Sequence, residues 1–450
     1  MEIRDPVHGQ IDILDEEIPI IEDPFFLRLR KVKQLGLSEY IFPGATHTRF
    51  LHSLGVMKIA ERVFDKLSTR SFCKSMSKGS CKFSRIRETF KLAALLHDLG
   101  HAPLSHSTES VMPPLSLLKI PNHTGAHARQ ATHEDYAIKI IVDSSFTDSL
   151  KKVKKKFDVN ANAIANLISG KCSDPEYFEL KKGINYFPLL HQLISSEIDC
   201  DRMDYLLRDS YFCGVSYGHF DIEWIIDNLD VCILDCKEHK KGHKEVYLGI
   251  NERAVSSFDD FLLGRFHMFL MVYFHYRAVC LEQLLSKFFK TSPAEYVIPS
   301  DIEEYQKHDD FFLNEVLKNS QNTYAQKIIK NIIPPKIFES FHKNELGVLL
   351  ELEKFLQQKE IEYIRCSSQG RLSKYYHLEN QEEKYYPLKV VKILPQGKKF
   401  INIDEATDLF KKFSDVHRIE RIHCDLKQLS AGEKKKILSI INGVSIQAMR

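Results

Sequence analysis

The sequence predicts a mostly helical protein with a smaller mixed α and β region at its C-terminal end, and three observations lead to this prediction. Over residues 1–290, apolar side chains recur at helical spacing and alternating strand patterns are rare. After residue 290, short runs of strand-forming residues alternate with helical ones. The chain has 450 residues, 43% hydrophobic and 28% charged, which is typical of folded globular proteins. We therefore expect one domain over residues 1–290 and a smaller α+β region over 291–450.

In the first domain, four stretches with apolar stripes at helical spacing predict helices, and they cover residues 50–67, 87–99, 187–209 and 258–288. Gly100 follows the second stretch as a helix stop signal. In the third stretch, Asp201, Tyr205 and Asp209 are four residues apart, so they share one helix face. A β-hairpin is expected over residues 230–248.

In the C-terminal region, the patterns predict one clear helix and three short strands. The helix covers residues 347–359, and the strands cover residues 361–366, 388–394 and 400–403. No motif in this region indicates a function. For this region the sequence therefore predicts an architecture and no function.

Charge and composition exclude several classes of protein. Lys plus Arg number 63 and Asp plus Glu number 61, so the net charge of +2 does not indicate a nucleic-acid or membrane partner. The basic run at residues 151–156 is interpreted as a solvated helix face, and a phosphate-rich or nucleic-acid partner is left open. No apolar stretch approaches the ~18 residues of a membrane span, and the N-terminus does not resemble a secretion signal. A cytoplasmic or otherwise intracellular protein without membrane contact is expected.

The cysteines do not predict a disulfide framework. There are ten of them and no Cys-x-x-Cys pair, which is typical of reduced, buried thiols. One string superficially resembles a zinc site, and it contains Cys232, Cys236, His239 and His243. Its spacing is shorter than that of a zinc finger and crosses the predicted hairpin turn, so we expect no metal there.

Histidine and aspartate occur together in three short segments, HTRFLHSLGV, HDLGHAPLSH and EIDCDRMDYLLRD. They supply His52, the adjacent pair His97 and Asp98, and Asp201. A mixed set of imidazoles and carboxylates suits a divalent metal and leaves positions open for water or phosphate oxygens. Taken alone, His97 and Asp98 would also fit a core histidine and a partly buried carboxylate at a helix end.

Six strings carry a family resemblance, in the chain order DPVHG, RLRKVKQLG, FPGATHTRFLHSLGV, HDLGHAPLSH, THE and DCDRMDYLLRD. Together they resemble the HD-domain deoxynucleoside triphosphate triphosphohydrolases, most closely the SAM-and-HD-domain enzymes and their bacterial relatives. The resemblance spans residues 3–285 and implies an all-helical HD core. It implies hydrolysis of a deoxynucleoside triphosphate to deoxynucleoside and inorganic triphosphate. Because the chain starts almost at DPVHG, no SAM domain is expected.

The resemblance also implies a cofactor and a set of site residues. A divalent metal such as Fe, Zn, Mn or Ni would be held by His52, His97, Asp98 and Asp201, and Mg would accompany the nucleotide. The predicted catalytic residues are His101, facing the phosphates, His106, protonating the 5′ oxygen, and the pair His133 and Glu134, positioning water. Glu109 could orient His106. The positions that hold phosphates in the family correspond to Arg49, Arg202 and Arg265. The positions that bind the sugar correspond to Gln34, Leu35, Tyr205, Asp209 and Tyr273.

Several alternatives stay open. Arg265 and Tyr273 could belong to a packed amphipathic helix, and His133 and Glu134 could be a polar pair at a helix start. Four further residues are expected to be structural or on the surface, namely His47, His123, His127 and Arg208. The enzyme could act on a monophosphate, cyclic or modified nucleotide. The chain could also be a regulator that binds nucleotides or RNA without catalysis.

The resemblance further implies a homo-oligomer, a dimer or tetramer, with a nucleotide activator. The positions that match the family's guanine-reading regulatory pocket are Glu22, Leu27 and Arg30. Leu27 has no hydrogen-bonding group and would leave one edge of guanine unpaired. We therefore expect activation by several deoxynucleotides, or basal activity without an activator, and no strict guanine requirement.

Overall fold

The structure is a computed structural model that describes residues 1–69, 80–121, 129–235, 243–341, 345–370, 388–407, 409 and 417–447. Within these residues helices predominate, and the prediction of a mostly helical core with a smaller α+β C-terminal region is confirmed. The α-helices are α1 (Ile18–Ile21), α2 (Pro24–Arg28), α3 (Arg49–Ser68), α4 (Cys81–Leu96), α5 (His133–Val142), α6 (Lys151–Phe157), α7 (Ala161–Ser169), α8 (Phe187–Ile194), α9 (Cys200–Cys213), α10 (Ile222–Asn228), α11 (Val255–Met268), α12 (Tyr276–Thr291), α13 (Ile302–Tyr305), α14 (Asp310–Asn319), α15 (Thr323–Ile329), α16 (Leu346–Gln358), α17 (Ile403–Ala406) and α18 (Ala431–Gln447).

The described strands form three sheets. The strands are β1 (Glu2–Asp5), β2 (Gly9–Asp12), β3 (Glu179–Lys181), β4 (Ile184–Asn185), β5 (Leu229–Asp235), β6 (Lys244–Asn251), β7 (Lys336–Ser340), β8 (Tyr363–Gly370), β9 (Lys389–Leu394), β10 (Gly397–Asn402) and β11 (His417–Cys424). β1 and β2 form an antiparallel hairpin. In the second sheet, β5 pairs antiparallel with β6, β4 and β9 pair parallel with β6, and β3 and β10 lie outside them. In the third sheet, β11 lies between β7 and β8 with antiparallel pairing.

The helical core is built around α3, which packs against both α4 and α9 and is buried along most of its length. Gly55 allows the close approach of α9. A Cβ atom at this position would lie only 1.9 Å from Oδ1 of Asp204, so no larger residue fits without a shift. The contact brings His52, one turn before Gly55 on α3, against the same carboxylate.

The end of α4 lies against the start of α5. Gly100 permits this contact, because a Cβ atom there would lie 2.1 Å from the carbonyl oxygen of His133. Thr132 and Asp135 form a capping box in which each side chain accepts a hydrogen bond from the other residue's backbone N–H, so α5 begins at His133. The residues that follow α4, including His97 and Asp98, therefore lie beside the first turn of α5.

Two of the predicted helices are interrupted. The stretch 187–209 is two helices, α8 and α9, because the Asp199 side chain accepts a hydrogen bond from the backbone N–H of Arg202 at 2.7 Å and starts a new helix. The stretch 258–288 is broken by a π-helical turn over Phe269–Tyr273, where the N–H of Phe274 donates to the carbonyl of Phe269 at 2.8 Å. Both interruptions lie next to predicted site residues.

Part of the C-terminal region joins the helical core. The Asp310 carboxylate at the start of α14 accepts hydrogen bonds from the backbone N–H groups of Lys33 and Leu104, at 2.9 and 2.7 Å. β9 pairs in parallel with one edge of β6. A separate small core lies between α16, α18 and one face of the sheet formed by β7, β11 and β8. The domain boundary at residue 290 stays a prediction.

The basic run forms α6, in which only Val153 is buried and the lysines are exposed. Two of these lysines make surface ion pairs, Lys151 with Asp148 and Lys156 with Glu16. This arrangement agrees with a solvated helix face. Among the helices that the structure describes, none combines the length and the apolar character needed to cross a membrane.

Candidate metal centre and adjoining cavity

The four predicted metal ligands meet where α3, the end of α4 and the first turn of α9 come together. Nε2 of His52 lies 3.0 Å from Oδ1 of Asp201 and 3.4 Å from Oδ2 of Asp98. Nε2 of His97 lies 3.3 Å from Oδ1 of Asp98 and 3.7 Å from Oδ1 of Asp201. Two imidazole nitrogens and two carboxylates therefore surround one point.

The tautomers of both histidines suit metal binding. Nδ1 of His97 donates to the carbonyl of Ala94 at 2.8 Å, and Nδ1 of His52 lies 2.7 Å from Oδ2 of Asp204 and donates to it. In a neutral imidazole each Nε2 atom then carries the lone pair, and in both residues it faces the carboxylates of Asp98 and Asp201. A carboxylate or carbonyl behind a ligating histidine is the usual support of a metal site.

The charge of the centre also suits a cation. Burial would raise the pKa of the Asp98 carboxyl, but Arg49, His97 and His101 hold it well below its usual range. Burial likewise opposes ionisation of Asp201, and hydrogen bonds and charge from His52 and His97 hold its pKa low. Both carboxylates are ionised at neutral pH, so the four donors fit a divalent metal of the Fe, Zn, Mn or Ni type.

Asp204 anchors the centre from behind. Its buried carboxylate accepts hydrogen bonds from His52, from Nε2 of His8 at 2.6 Å, and from Nε and Nη2 of Arg208, both at 2.9 Å. Arg208 in turn donates to Asp5 at 2.7 Å. Asp5 and His8 of the DPVHG string therefore support the metal centre through this network. Arg208 has the structural role that the sequence predicts.

Three histidines form a second group beside the metal centre. The rings of His101 and His133 stack with centroids 4.0 Å apart, and the His106 ring lies edge-on to His101 at 5.0 Å. Glu109 contacts two of them, with Oε1 lying 2.5 Å from Nδ1 of His133 and 3.0 Å from Nδ1 of His106.

These contacts set the protonation of the group. Burial, together with Arg49 and His133, holds the pKa of His101 well below its usual range, so this imidazole is neutral. The pKa of Glu109 is also lowered, because hydrogen bonds from His106 and His133 outweigh its burial. For His133, burial is outweighed by the hydrogen bond with Glu109, which raises its pKa. An ionised carboxylate thus supports two imidazoles at the edge of the centre.

A cavity of about 320 Å³ opens from the metal centre. Nine of the twelve predicted substrate and catalytic residues line it, namely Gln34, Leu35, Arg49, His101, His106, His133, Tyr205, Asp209 and Tyr273. Arg49 is fixed by its ion pair with Asp98 and by a 3.1 Å hydrogen bond from Nε to Oγ of Ser105. Asp209 is fixed by Tyr273, whose hydroxyl donates to it at 2.8 Å, and by Nε2 of His47 at 2.7 Å.

Three predicted residues are not among those that line the cavity. Nη1 of Arg202 donates to Oε2 of the buried Glu197 at 2.6 Å, and Nη1 of Arg265 lies 3.6 Å from the same oxygen. Glu134 is exposed, and the carboxylate that contacts His133 is Glu109. The roles assigned to these three residues stay predictions.

The structure adds residues that the sequence did not single out. His47 contacts Asp209 and stacks on Phe212 with centroids 4.6 Å apart, so of the two expected roles, structural or on the surface, it has a structural one beside the cavity. Glu282 on α12 also lines the cavity, with burial raising its pKa to about 7. The position of His47 in the THTRF string was a usable signal, whereas no local pattern marks Glu282. His123, His127, Cys236 and His239 lie outside the described residues.

Comparisons with known proteins found a family match and several relatives of this chain. Residues 49–209 match the HD domain family. The uncharacterized protein YwfO of Bacillus subtilis is 28% identical over 93% of this chain and 90% of its own length. The human deoxynucleoside triphosphate triphosphohydrolase SAMHD1 is 26% identical over 75% of this chain and 54% of its own length. A solved structure of a hypothetical protein from Aquifex aeolicus superposes with a TM-score of 0.70 at 26% identity, covering 97% of this chain and 99% of that one.

Proposed function

The chain carries an HD domain over residues 49–209 and is related to the deoxynucleoside triphosphate triphosphohydrolases, and from this premise we propose that it hydrolyses deoxynucleoside triphosphates to deoxynucleoside and inorganic triphosphate. All four predicted metal ligands fall inside the matched segment. The metal-dependent phosphohydrolase class follows from the HD domain and its donor set. The deoxynucleotide substrate and the triphosphate product are our proposal.

One observation carries the proposal, namely a cavity with metal donors on one wall and sugar-type partners on another. Asp98 and Asp201 line it together with Arg49, whose guanidinium suits a phosphate oxygen. Asp209 and Tyr273 supply a hydrogen-bonded carboxylate and hydroxyl that suit a sugar 3′-hydroxyl. A nucleotide with its α-phosphate near the metal donors would place its sugar against this second pair.

The reaction adds water across the bond between the α-phosphorus and the 5′ oxygen. A divalent metal held by His52, His97, Asp98 and Asp201 would supply Lewis-acid polarisation of the phosphate and an activated water. The guanidinium of Arg49, fixed before substrate arrives, offsets the negative charge that develops on the phosphate oxygens. Neutral His101 can contact a phosphate oxygen without adding a second positive charge next to Arg49.

The departing 5′ oxygen needs a proton, and the second histidine group can supply it. Glu109 holds Nδ1 of both His106 and His133, which leaves Nε2 of each imidazole free for exchange with substrate or water. The attacking water loses one proton and the 5′ oxygen gains one. The reaction therefore balances, with a deoxynucleoside and triphosphate as its products. The geometry supports Glu109 as the partner that orients this step.

The side of the cavity lined by Leu35, Asp209 and Tyr273, called the sugar wall below, supports a preference for deoxyribose. Leu35 and Tyr273 line the cavity, and the Tyr273 hydroxyl is already engaged by Asp209. A 2′-hydroxyl placed there would lack a partner, a discrimination of about 1–3 kcal/mol. The proposed phosphate contacts of Arg202 and Arg265 would require these residues to exchange Glu197 for the triphosphate.

We also propose that the enzyme assembles as a homodimer or homotetramer in the cytoplasm and responds to several nucleotides. Glu22, Leu27 and Arg30 are all exposed, as an activator site between subunits would require. Arg30 lies over the Phe50 ring at 3.7 Å from its centroid, so α3 links this surface to the metal centre. Light scattering and turnover of dATP with and without GTP test this part; an absolute guanine requirement would contradict it.

The main test incubates metal-loaded protein with dATP and follows the products by phosphorus NMR. We expect inorganic triphosphate as the phosphorus product, and no turnover with His97→Ala. The exposed His267 offers a matched control, because His267→Ala removes an imidazole far from the metal ligands in sequence and should keep wild-type turnover.

Other products would overturn specific parts of the proposal. Monophosphate with pyrophosphate would reject attack at the α-phosphorus with loss of the 5′ oxygen. Turnover of monophosphates or cyclic nucleotides alone would favour a different HD phosphohydrolase. Nucleotide binding without turnover in every metal tested would favour a regulator.

A further inference from the structure

A second group of metal-type side chains lies where α12 meets the C-terminal sheet. It is separate from the metal centre formed by His52, His97, Asp98 and Asp201, which is called the HD centre below. It consists of Cys280 on α12, Cys366 on β8 and His423 on β11. Their two sulfur atoms and one ring nitrogen lie within 4.8 Å of one another, and all three residues are fully buried. None of them belongs to a motif in the sequence.

The fold places these three residues together with defined orientations. Cys366 pairs with Arg421 across the antiparallel β8–β11 ladder, and His423 is two residues further along β11, so Cys366 and His423 lie on the same face. α12 packs against β8 on that face and contributes Cys280. The neighbouring Cys424 lies on the opposite face, in the small core beside α16 and α18.

The imidazole of His423 is prepared as a ligand. Its Nδ1 donates to the carbonyl of Pro334 at 2.9 Å, so Nε2 carries the lone pair. This Nε2 atom is buried, and the thiols of Cys280 and Cys366 are the ligand-type groups beside it. A neutral imidazole nitrogen next to two thiols is a donor set that a soft or borderline metal can bind once the thiols lose their protons.

We propose that Cys280, Cys366 and His423 hold a structural zinc ion that joins the helical core to the C-terminal sheet. Two sulfurs and one imidazole nitrogen are the soft and borderline donors that zinc prefers, and a fourth donor or a water molecule completes its tetrahedron. Binding releases one proton from each thiol, so two thiolates balance the two charges of the metal. The site is then electrically neutral, which a fully buried position requires.

The three donors come from an α-helix and two strands that are distant in the chain. A metal that links them stabilises the contact between α12 and the sheet, because its binding free energy is lost when the two parts separate. The inference does not depend on the proposed function, since no residue of the HD centre takes part.

Cobalt substitution separates this site from the HD centre. The HD ligands are imidazoles and carboxylates, so of the two sites among the described residues only the second can give the near-ultraviolet charge-transfer absorption between thiolate and Co²⁺. We expect this absorption in full-length wild-type protein and its loss in Cys366→Ser. The matched control is Cys424→Ser, which removes a buried thiol from the other face of the same sheet and should keep the absorption.

Zinc content gives the second measurement. Protein purified from zinc-supplemented medium should lose one zinc per chain in Cys366→Ser and none in Cys424→Ser, with a lower melting temperature only where zinc is lost. Should Cys366→Ser fail to fold, His423→Gln and zinc withdrawal from the wild type by a chelator carry the same test.

Two results would overturn the proposal. The first is an unchanged zinc content in Cys366→Ser and no thiolate absorption with cobalt. The second is a wild-type mass lower by two hydrogen atoms, with a peptide linking Cys280 to Cys366, which would identify a disulfide instead.

Discussion

Replacing Asp204 by asparagine removes one negative charge from the buried network behind His52. Asparagine keeps the shape of the side chain and an oxygen that can accept from Nδ1 of His52. It removes the partner charge of Arg208, which is fully buried and makes two 2.9 Å hydrogen bonds to Asp204. The substitution therefore tests the charge of the network and leaves its shape nearly unchanged.

The structure sets the expected size of both effects. Removing one member of a buried ion pair typically costs about 3–5 kcal/mol, but Asp5 also contacts Arg208, so we expect the free energy of unfolding to fall by about 3 kcal/mol. A partner behind a ligating histidine typically contributes about 10–100-fold to metal affinity. Asp204→Asn should therefore bind the HD metal about 10–100-fold more weakly than the wild type.

The assay compares chelator competition for the metal with urea unfolding of the same samples. Arg208→Gln is the matched variant, because it breaks the same ion pair but leaves the Asp204 carboxylate to accept from His52. We expect Arg208→Gln to be destabilised about as much and to keep most of its metal affinity. Wild-type metal affinity in Asp204→Asn, or equal losses of affinity in both variants, would refute the argument that the negative charge of Asp204 supports His52 as a metal ligand.

Three further predictions address the packing, the pH dependence and the sugar wall. Gly55→Ala should lower the free energy of unfolding and the metal content together, because its methyl group would displace Asp204; urea unfolding and elemental analysis check this, and a stable, metal-loaded variant would contradict it. Glu282 has a pKa raised to about 7 by burial, so the folded protein holds this proton more tightly than the unfolded chain does. The contribution of Glu282 to the free energy of unfolding is fully present below the unfolded pKa near 4.5. It falls by on the order of 2–3 kcal/mol as the pH rises through about 7. Urea unfolding measured at several pH values should therefore show a flatter pH dependence for Glu282→Gln than for the wild type. Tyr273→Phe removes the hydrogen bond to Asp209 and should raise the KM for dATP several-fold, since one such bond contributes about 1 kcal/mol; an unchanged KM would remove Tyr273 from the sugar wall.

Local patterns predicted the helical class and several of the helices, among them α3 and α16, and the family resemblance supplied the four candidate metal ligands. The stripe of apolar residues predicted α3 within a residue at each end, because its burial against α4 and α9 follows the helical period. The string HDLGHAPLSH predicted the pair His97 and Asp98 because adjacent ligands at a helix end are a feature of the sequence itself. The structure brings them together with His52 and Asp201, as the resemblance implies.

Other features depended on contacts between distant segments. The helix break before α9 depends on one capping side chain, Asp199, inside a stretch whose apolar period continues across it. The carboxylate beside His133 is Glu109 and not its neighbour Glu134, because the loop after α4 folds back over the start of α5.

The sequence by itself determined the helical class and the positions of several helices, because apolar periodicity depends on side chains within a few positions of one another. It also supplied the candidate metal ligands, through short strings that resemble those of a known family. Tertiary structure alone decided which charges meet, as with Arg202 and Glu197. It also decided which thiols share a site, as with Cys280 and Cys366. The physical reason is that packing between α9, α12 and the sheets fixes these distances, and no periodicity along the chain records which elements will pack together.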